Sequence, residues 1–250
     1  MKIDNRYGSL AAWVYDLDKP IGRSFGDIEF YGRQLEGCSG AILEPAVGNG
    51  RIFIPLLEQG LRMVGFDASE EMLVRCQEHC ASRELTAVLS HQRFEAFHYS
   101  ERFEAIIVPA GSFQLLNFEQ ARVTLLRFHE HLMPDGRLLL DLDAADSLIE
   151  DKGGQRSWPV GESELLTLAA SPPEVDYLAQ RTHALLRYEH WVEGRLVLSE
   201  LERFSLRWWG LQELTLLLEQ LGFTHVRLYG DYSEEPPRQG CQMITVEARR

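Results

Sequence analysis

No run of apolar residues in this sequence is long enough to cross a membrane. The longest runs, such as AILEPAV and GRLLLDL, fall far short of the roughly 20 residues that span a bilayer. The first residues, MKIDNRYGSL, lack the apolar core of a secretory signal. The cysteines are few and show no spacing typical of a disulfide framework; they are Cys38, Cys76, Cys80 and Cys241. We therefore expect a cytoplasmic protein with no membrane partner.

Clusters of basic residues are also lacking. The formal net charge is −13, and the 25 Lys and Arg residues are scattered along the chain. A protein that binds a polyanion needs grouped Lys and Arg to neutralise phosphates, so we expect no nucleic-acid partner. The sequence has no internal repeat and no low-complexity segment. With 45% hydrophobic residues among 250, it can bury one large core, and we expect one domain with additions.

From Ala41 onward the sequence repeats a short apolar run, a turn and an amphipathic segment. This order is typical of a parallel sheet with crossover helices. The predicted strands are 41–46, 62–67, 86–92, 103–110 and 133–143, and the predicted helices are 51–60, 69–83 and 118–132. In such a sheet we expect ligands at the carboxyl ends of the strands.

After Asp143 the pattern changes. Three long extended segments, 165–170, 175–191 and 194–209, are joined by the turn sequences SPPE and VEGR. Consecutive strands with tight turns pair antiparallel, so these segments predict a small antiparallel insert. A helix at 211–222 and strands at 224–230 and 241–248 follow. The expected fold class is α/β, a doubly wound, Rossmann-like, mostly parallel seven-stranded sheet that carries this insert.

The stretch ILEPAVGNGRIFIPLLEQG, residues 42–60, joins the first predicted strand to its helix through a turn with two glycines. Gly48 and Gly50 let the backbone bend sharply and approach a ligand, which the N–H groups at the start of the helix would face. Asp67 ends the second strand, 17 residues after Gly50, where its carboxylate can accept hydrogen bonds from both hydroxyls of a ribose. The alternative role for Asp67 is to cap the following helix.

Three other kinds of site are disfavoured by missing residues. The turn lacks the third glycine of G-x-G-x-x-G, because Phe53 stands there, and this argues against a nicotinamide-dependent oxidoreductase. No metal is expected, since Cys76, His79 and Cys80 form no Cys-x-x-Cys pair and have no second ligand pair. Ser112 lies in PAGSFQ and not in G-x-S-x-G, which argues against a hydrolase.

Five segments resemble, in order, the motifs of class I S-adenosylmethionine-dependent methyltransferases; they are EPAVGNG, VGFDASEEML, FEAIIVPAGSFQLL, LMPDGRLLLDL and LQELTLLLEQLGFTHVRLYG. The resemblance covers nearly the whole chain from Ala41. The acidic residue and the G-x-G-x-G of the family correspond here to Glu44, then Ala46, Gly48 and Gly50, so alanine replaces the first glycine. The resemblance implies S-adenosylmethionine as the cofactor and methyl transfer as the reaction.

The resemblance also implies roles for individual residues. Glu44 would organise the loop and the ammonium group of the methionine portion, and Asp67 would bind the ribose. Pro109, which ends the fourth strand, would lie beneath the sulfonium and the transferred methyl group. Ala68 and Met72 would flank the adenine.

At the end of the third strand the family usually supplies an acid to the adenine amino group. Gln92 stands near that place and Glu95 follows it, so either residue is a candidate. Arg93 and Phe94 lie between them and are further candidates for contact with the cofactor.

Residues 1–40 precede the first strand, and YDLDKPIGRSFGDIEFY within them resembles the lid of small-molecule methyltransferases. Tyr15, with Trp13, Phe30 and Tyr31, would cover the cofactor, because aromatic faces attract a cation such as a sulfonium by about 0.5 to 2 kcal/mol. The alternative is an amphipathic helix packed on the core. The expected organisation is a lid at 1–40, a methyltransferase domain at 41–145 and 210–250, and an insert at 146–209.

By the same resemblance the acceptor would enter between the lid and the insert. The residues expected to contact it are Trp13, Tyr31, Ser112, Arg207 and Trp208. The candidates for a base that takes its proton are Asp143, His190 and Asp231, each with a plain surface position as the alternative.

We therefore expect methyl transfer to the N or O atom of a small molecule. The expected partner is this small-molecule acceptor, and a homodimer is left open. The alternatives are a methyltransferase that acts on a peptide or protein, and a non-catalytic module that binds S-adenosylmethionine.

Overall fold

The computed structural model describes residues 5–250. In chain order the elements are α1 (Ser9–Asp18), α2 (Asp27–Gln34), β1 (Ile42–Pro45), α3 (Phe53–Glu58), β2 (Met63–Asp67), α4 (Glu70–Ala81), β3 (Val88–His91), β4 (Phe103–Val108), a 3₁₀ helix (Ser112–Leu115), α5 (Phe118–His131), β5 (Leu132–Asp143), α6 (Ala145–Ile149), β6 (Gly154–Pro159), β7 (Glu164–Ala170), β8 (Glu174–Asp176), β9 (Arg181–Val192), β10 (Arg195–Arg207), α7 (Leu211–Gln220), β11 (Thr224–Gly230) and β12 (Met243–Arg249). None of the helices in this part of the chain is long and apolar enough to span a membrane.

The main sheet has seven strands in the order β11-β12-β5-β4-β1-β2-β3. Strands β1 to β5 are parallel, and β12 runs antiparallel to both of its neighbours. β1 and β2 are buried along their whole length, as expected for strands covered by helices on both faces. The predicted fold class is confirmed. Since β1 pairs with β2 on one side and β4 on the other, its carboxyl end is the place where such sheets bind ligands.

The second sheet is antiparallel, in the order β10-β9-β7-β6, with the short β8 paired to β9. β9 and β10 are joined by Glu193 and Gly194, whose φ angles of 50° and 72° are those of a type I′ hairpin turn. The predicted strand 175–191 is interrupted between β8 and β9, where Gln180 has a φ of 52°. The sequence does not predict β6, because GQRSWP shows no apolar alternation. In the structure this strand is mostly exposed.

The two N-terminal helices pack on different sheets. α1 places Leu10 and Val14 against Leu166 of the second sheet. α2 instead belongs to the core of the main sheet, where Phe30 and Tyr31 are completely buried. Of the predicted lid, residues 1–4 lie outside the described part of the chain. The remainder combines one helix on the second sheet with one helix in the main core.

Polar contacts tie these helices to the turn after β1. The side-chain amide of Asn49 donates hydrogen bonds to Asp16 Oδ1 at 2.9 Å and to the carbonyl oxygen of Lys19 at 3.0 Å. Arg51 forms a buried ion pair with Asp27 at 2.6 Å. The N-terminal segment is therefore bonded directly to the glycine turn.

Candidate active site

A cavity of about 1040 Å³ lies at the carboxyl ends of β1, β2 and β3. Its walls are the turn after β1, the start of α4, the chain after β3, the 3₁₀ helix, residues 5–9 and parts of the second sheet. Pockets of about 300 to 1,000 Å³ typically hold one drug-sized ligand. This cavity therefore has room for a cofactor and a small second molecule.

The turn after β1 has three residues with positive φ, namely Ala46 at 53°, Gly48 at 58° and Gly50 at 91°. Ala46, in place of the first glycine, thus holds a Cβ in the left-handed region at a cost of about 1 to 2 kcal/mol. A methyl group on Gly48, which lines the cavity, would meet no atom within 4 Å. A methyl group on Gly50 would lie 2.8 Å from Cys76 Sγ and 2.9 Å from Ile54 Cδ1. Gly48 leaves room for a ligand, whereas Gly50 leaves room for α3 and α4.

Asp67 connects the glycine turn to the start of α4. Its Oδ2 accepts a hydrogen bond from the Gly48 N–H at 2.9 Å, and its Oδ1 accepts one from the Ser69 N–H at 2.8 Å. Burial raises the pKa of Asp67, and these N–H donors oppose the shift. The helix cap of α4 is Ser69, which accepts from the Met72 N–H at 3.2 Å. Because a carboxylate can accept about four hydrogen bonds, Asp67 keeps capacity for a ligand in the cavity that it lines.

Glu44 lies within β1, two residues before the glycine turn, and is buried outside the cavity wall. Its Oε2 has no hydrogen-bond partner among residues 5–250. Burial raises the pKa of Glu44 well above its usual value, and the nearby Arg51 guanidinium opposes this shift. Since a buried carboxylate is stable only with a partner, the position fits a cationic group of a ligand.

The adenine end predicted from the family resemblance forms one part of the cavity. Its lining there consists of Ala68, Met72, Gln92, Arg93, Phe94 and Glu95. Both ends of the Gln92 amide are already engaged: Nε2 donates to Ser90 Oγ at 2.9 Å, and Oε1 accepts from the His98 N–H at 2.9 Å. Of the two candidates for the adenine amino group, this arrangement favours Glu95.

The end of β4 is held by a buried carboxylate. Pro109 is buried and outside the cavity wall, and the next residue, Ala110, has a φ of 54°. The Ala110 N–H donates to Asp141 Oδ2 at 2.9 Å, and the hydroxyls of Tyr232 and Thr245 donate to the same carboxylate at 2.9 and 2.7 Å. Burial raises the pKa of Asp141 to about 6. Asp141 therefore fixes the backbone beside the predicted methyl position.

Most residues expected at the acceptor lie elsewhere. Of these residues Ser112 lines the cavity, and so does Tyr15, which was expected to cover the cofactor. Trp13 packs on His190 with ring centres 5.2 Å apart, and neither residue lines the cavity. Tyr31 is completely buried in the main core, as expected for a large aromatic side chain on the inner face of a helix.

Arg207 and Trp208 lie where β10 leaves the second sheet. Arg207 forms an ion pair with Glu213 at 2.6 Å and stacks on Trp209, with 4.5 Å between the guanidinium carbon and the ring centre. Trp208 is buried and packs on Tyr177. Neither residue lines the cavity. The Arg207–Glu213 ion pair joins the second sheet to α7, and Trp208 packs on Tyr177 between β8 and β9, so both residues have packing contacts in place of the expected acceptor contacts.

The three candidate bases are also outside the main cavity. Asp143 is half-buried, burial raises its pKa, and it lines a separate cavity of about 220 Å³. His190 lies 3.4 Å from Glu164 Oε2. Asp231 accepts hydrogen bonds from the backbone N–H groups of Met243 and Gln242. These bonds lower its pKa, and the bond from Met243 has the largest effect. The structure does not bring these three side chains together.

The second sheet and residues 5–9 supply cavity groups that the sequence did not predict. They include Tyr7, Arg181, Tyr188 and Glu202. The ring of Tyr7 lies 6.4 Å from that of Tyr15 and nearly perpendicular to it. Alternating side chains along β10 place Glu202 on one face of the strand, but only the fold shows that this face lines the cavity.

Comparisons with known proteins agree with this geometry. Residues 42–136 match the family model described as Methyltransferase domain. The glycine/sarcosine N-methyltransferase of Aphanothece halophytica is 31% identical over 218 residues, which cover 85% of this chain and 77% of that protein. The putative methyltransferase YqeM of Bacillus subtilis (strain 168) is 24% identical over 224 residues, which cover 84% of each protein.

Solved structures share the fold. A S-adenosylmethionine-dependent methyltransferase from Clostridium acetobutylicum ATCC 824 has a TM-score of 0.77 at 15% identity, over 95% of this chain and 96% of that chain. The CcbJ methyltransferase from Streptomyces caelestis has a TM-score of 0.74 at 20% identity, over 97% of each chain. With the sequence relatives, these similarities define the class: the chain belongs to the class I S-adenosylmethionine-dependent methyltransferases. It is an enzyme, and S-adenosylmethionine is its cofactor.

The residues present fit this cofactor. Gly48 leaves open space at the turn, Asp67 has unused acceptor capacity in the cavity, and Glu44 keeps an unpartnered buried oxygen within residues 5–250. These are the hydrogen-bonding groups that a ribose and an ammonium group require.

Proposed function

We propose that this methyltransferase acts on the nitrogen of a small-molecule amine. The observation that carries the proposal is the second-sheet side of the cavity, where Tyr7, Tyr15, Tyr188 and Glu202 are lining residues. Aromatic faces and a carboxylate together suit an amine, which is a hydrogen-bond donor and is often cationic. The names of the relatives, glycine/sarcosine N-methyltransferases, and that of a structural neighbour, the sugar N-methyltransferase KedS8, support nitrogen over oxygen.

For the cofactor we propose that Asp67 binds the ribose hydroxyls and that Glu44, with the turn at Gly48, accommodates the methionine portion. Ala68 and Met72 would flank the adenine. The support is that Gly48, Asp67, Ala68 and Met72 line the cavity and that Glu44 Oε2 has no hydrogen-bond partner among residues 5–250.

The reaction needs no nucleophilic side chain. When bound, S-adenosylmethionine would supply a methyl group on a sulfonium; the acceptor would attack the methyl carbon in line, and the neutral thioether would leave. The protein contributes alignment and exclusion of water, effects that are worth up to about 7 to 11 kcal/mol in well-oriented systems.

Residues 5–9 cover one side of the cavity. Ser69 Oγ donates to the carbonyl oxygen of Tyr7 at 2.9 Å, and Asn5 bonds to the backbone of Ser205 at 2.8 and 2.9 Å. The segment therefore spans from the start of α4 to β10. This places Tyr7 between the cofactor side and the second-sheet side of the cavity.

The test is turnover with S-adenosylmethionine and a panel of small amines, their hydroxyl analogues and short peptides, followed by mass spectrometry. We expect one methyl group on the nitrogen of small amines, with formation of S-adenosylhomocysteine. Methylation of hydroxyl groups or peptides alone, or binding of S-adenosylmethionine without turnover of any acceptor, would contradict the proposal.

A further inference from the structure

Glu202 is a carboxylate on the cavity side of β10. It is only 5% exposed and yet lines the cavity. Its Oε1 accepts a hydrogen bond from the Tyr7 N–H at 3.2 Å. Two arginines on the same two strands have other partners: Arg187 pairs with Glu189 at 3.0 Å, and Arg207 pairs with Glu213 at 2.6 Å. None of the ion pairs between residues within 5–250 includes Glu202.

The groups that interact electrostatically with Glu202 include Arg6 and Tyr7 from the N-terminal segment, Glu200 from β10 and Tyr188 from β9. Arg181 of β9 lines the same cavity. Burial raises the pKa of Glu202, and the backbone N–H groups of Tyr7 and Arg6 oppose that shift. The Arg6 side chain attracts Glu202 without forming an ion pair with it, and Arg6 is exposed.

Both carboxylate oxygens of the neighbouring Glu200 already accept hydrogen bonds. Its Oε1 accepts from the Ser9 hydroxyl at 2.8 Å, and its Oε2 accepts from the Leu10 N–H at 3.0 Å, at the start of α1. Glu200 therefore anchors the helix, while Glu202 keeps acceptor capacity toward the cavity.

A buried carboxylate with no ion-pair partner among residues 5–250 is unfavourable, because its desolvation is not offset by a close opposite charge. We propose that Glu202 binds the ammonium group of the acceptor and takes the proton that the amine loses before methyl transfer. This inference rests on the proposed function and narrows it. The substrate class becomes small amines that are protonated at neutral pH, in preference to hydroxyl compounds of the same shape.

The ammonium gives one proton to the Glu202 carboxylate, which becomes a carboxylic acid, and the neutral amine keeps the lone pair. That lone pair forms the C–N bond as the C–S bond breaks, and the electron pair of the broken bond stays on sulfur. The products are a methylated ammonium, a thioether and the proton on Glu202, which then passes to water.

The rings of Tyr7 and Tyr188 support the same assignment. Burial raises the pKa of each phenol, and the negative charge of Glu202 is among the further causes, so both side chains lie near this carboxylate as neutral groups. Aromatic faces beside a carboxylate strengthen the binding of an ammonium, because the faces themselves attract cations.

The experiment measures binding without turnover. Protein saturated with S-adenosylhomocysteine is titrated by calorimetry with matched probes: benzylamine and benzyl alcohol, cyclohexylamine and cyclohexanol, ethanolamine and ethylene glycol. We expect at least one amine to bind about tenfold or more tightly than its hydroxyl partner, as a charge-assisted hydrogen bond predicts. Glu202→Gln should abolish this preference, and the affinity for S-adenosylhomocysteine should stay unchanged.

Glu200→Gln is the matched control, because it removes the same charge two residues away and should keep the amine preference. The proposal is overturned if the wild-type protein prefers no amine in the panel, a result that needs no variant to fold. It is also overturned if folded Glu202→Gln retains the preference. Methylation of amines by a Glu202→Gln protein with unchanged preference would reject this inference alone, whereas methylation confined to hydroxyl groups would reject the proposed function.

Discussion

The carboxylate of Asp67 accepts a hydrogen bond from the backbone N–H of Gly48 at 2.9 Å. The end of β2 and the turn after β1 are thereby held together at the cavity. Asp67 thus fixes the turn and, by our proposal, also binds the ribose.

Replacing Asp67 by alanine should weaken binding of S-adenosylhomocysteine by about 1.5 to 3 kcal/mol or more, because charge-assisted hydrogen bonds are lost. Calorimetry measures the change directly. Glu70→Ala is the control, since Glu70 also lines the cavity but its side chain is 76% exposed. Equal affinities of the wild-type and Asp67→Ala proteins would rule out the ribose assignment.

The two glycines of the turn should respond differently to a side chain. Gly48→Val should abolish cofactor binding while the protein stays folded, because its side chain would enter open cavity space at a φ of 58°. Gly50→Val should instead lower the melting temperature, since its Cβ would lie 2.8 Å from Cys76 Sγ. Circular dichroism and calorimetry on both variants test this. A folded Gly48→Val protein with normal binding would refute it.

The N-terminal segment should gain protection when the cofactor binds, but only in part. Residues 10–18 carry Tyr15 into the cavity, so their amide hydrogens should exchange more slowly with S-adenosylhomocysteine present. α2 should be protected in both states, because Phe30 and Tyr31 are completely buried. Hydrogen exchange measures both. Equal protection of residues 10–18 with and without ligand would mean that α1 does not become more ordered when the cofactor binds. A segment that closes over the cofactor would then have to lie in the second sheet.

Deleting residues 1–20 should leave the main sheet folded, because its strands begin at Ile42. Turnover should be lost and cofactor binding weakened, since the deletion removes Tyr7, Tyr15 and the acceptors of the two hydrogen bonds that Asn49 donates. Circular dichroism checks the fold and calorimetry the affinity. A truncated protein with full turnover would contradict this role of the segment.

Asp141 should make stability depend on pH. Burial raises its pKa to about 6, above the value of about 3.9 in an unfolded chain, so the folded protein holds the proton more tightly. Its contribution is present below about pH 4 and is lost as the pH rises through about 6, a change of about 3 kcal/mol. Urea unfolding at several pH values should show a smaller fall in the free energy of unfolding between pH 4 and 6 for Asp141→Asn. An identical fall in both proteins would contradict the assignment.

The sequence could predict the parts of the site that come from one local unit. Gly48, Gly50 and Asp67 belong to a single strand-turn-helix-strand segment, so their spacing already brings them to one sheet edge. The structure added that Gly50 serves packing, because this depends on Cys76 from a different helix. The local pattern thus locates the turn but does not separate ligand-facing from core-facing glycines.

The second-sheet side of the cavity could not be predicted in this way. Tyr188 and Glu202 reach the cavity only because β9 and β10 pair and their sheet packs on α1. Tyr31 and Trp208, which were expected at the acceptor, are buried in packing contacts, since large aromatic side chains fill cores as readily as they line sites. The sequence alone does not show whether a large aromatic residue is buried in the core or lines a binding site.

The most direct test is a crystal structure of the wild-type protein with S-adenosylhomocysteine. Our account predicts the ligand in the cavity over the turn at Gly48, with ribose hydroxyls within about 3.2 Å of the Asp67 carboxylate and the open end of the cavity facing Glu202. A ligand bound elsewhere, or a ribose that makes no contact with Asp67, would contradict it.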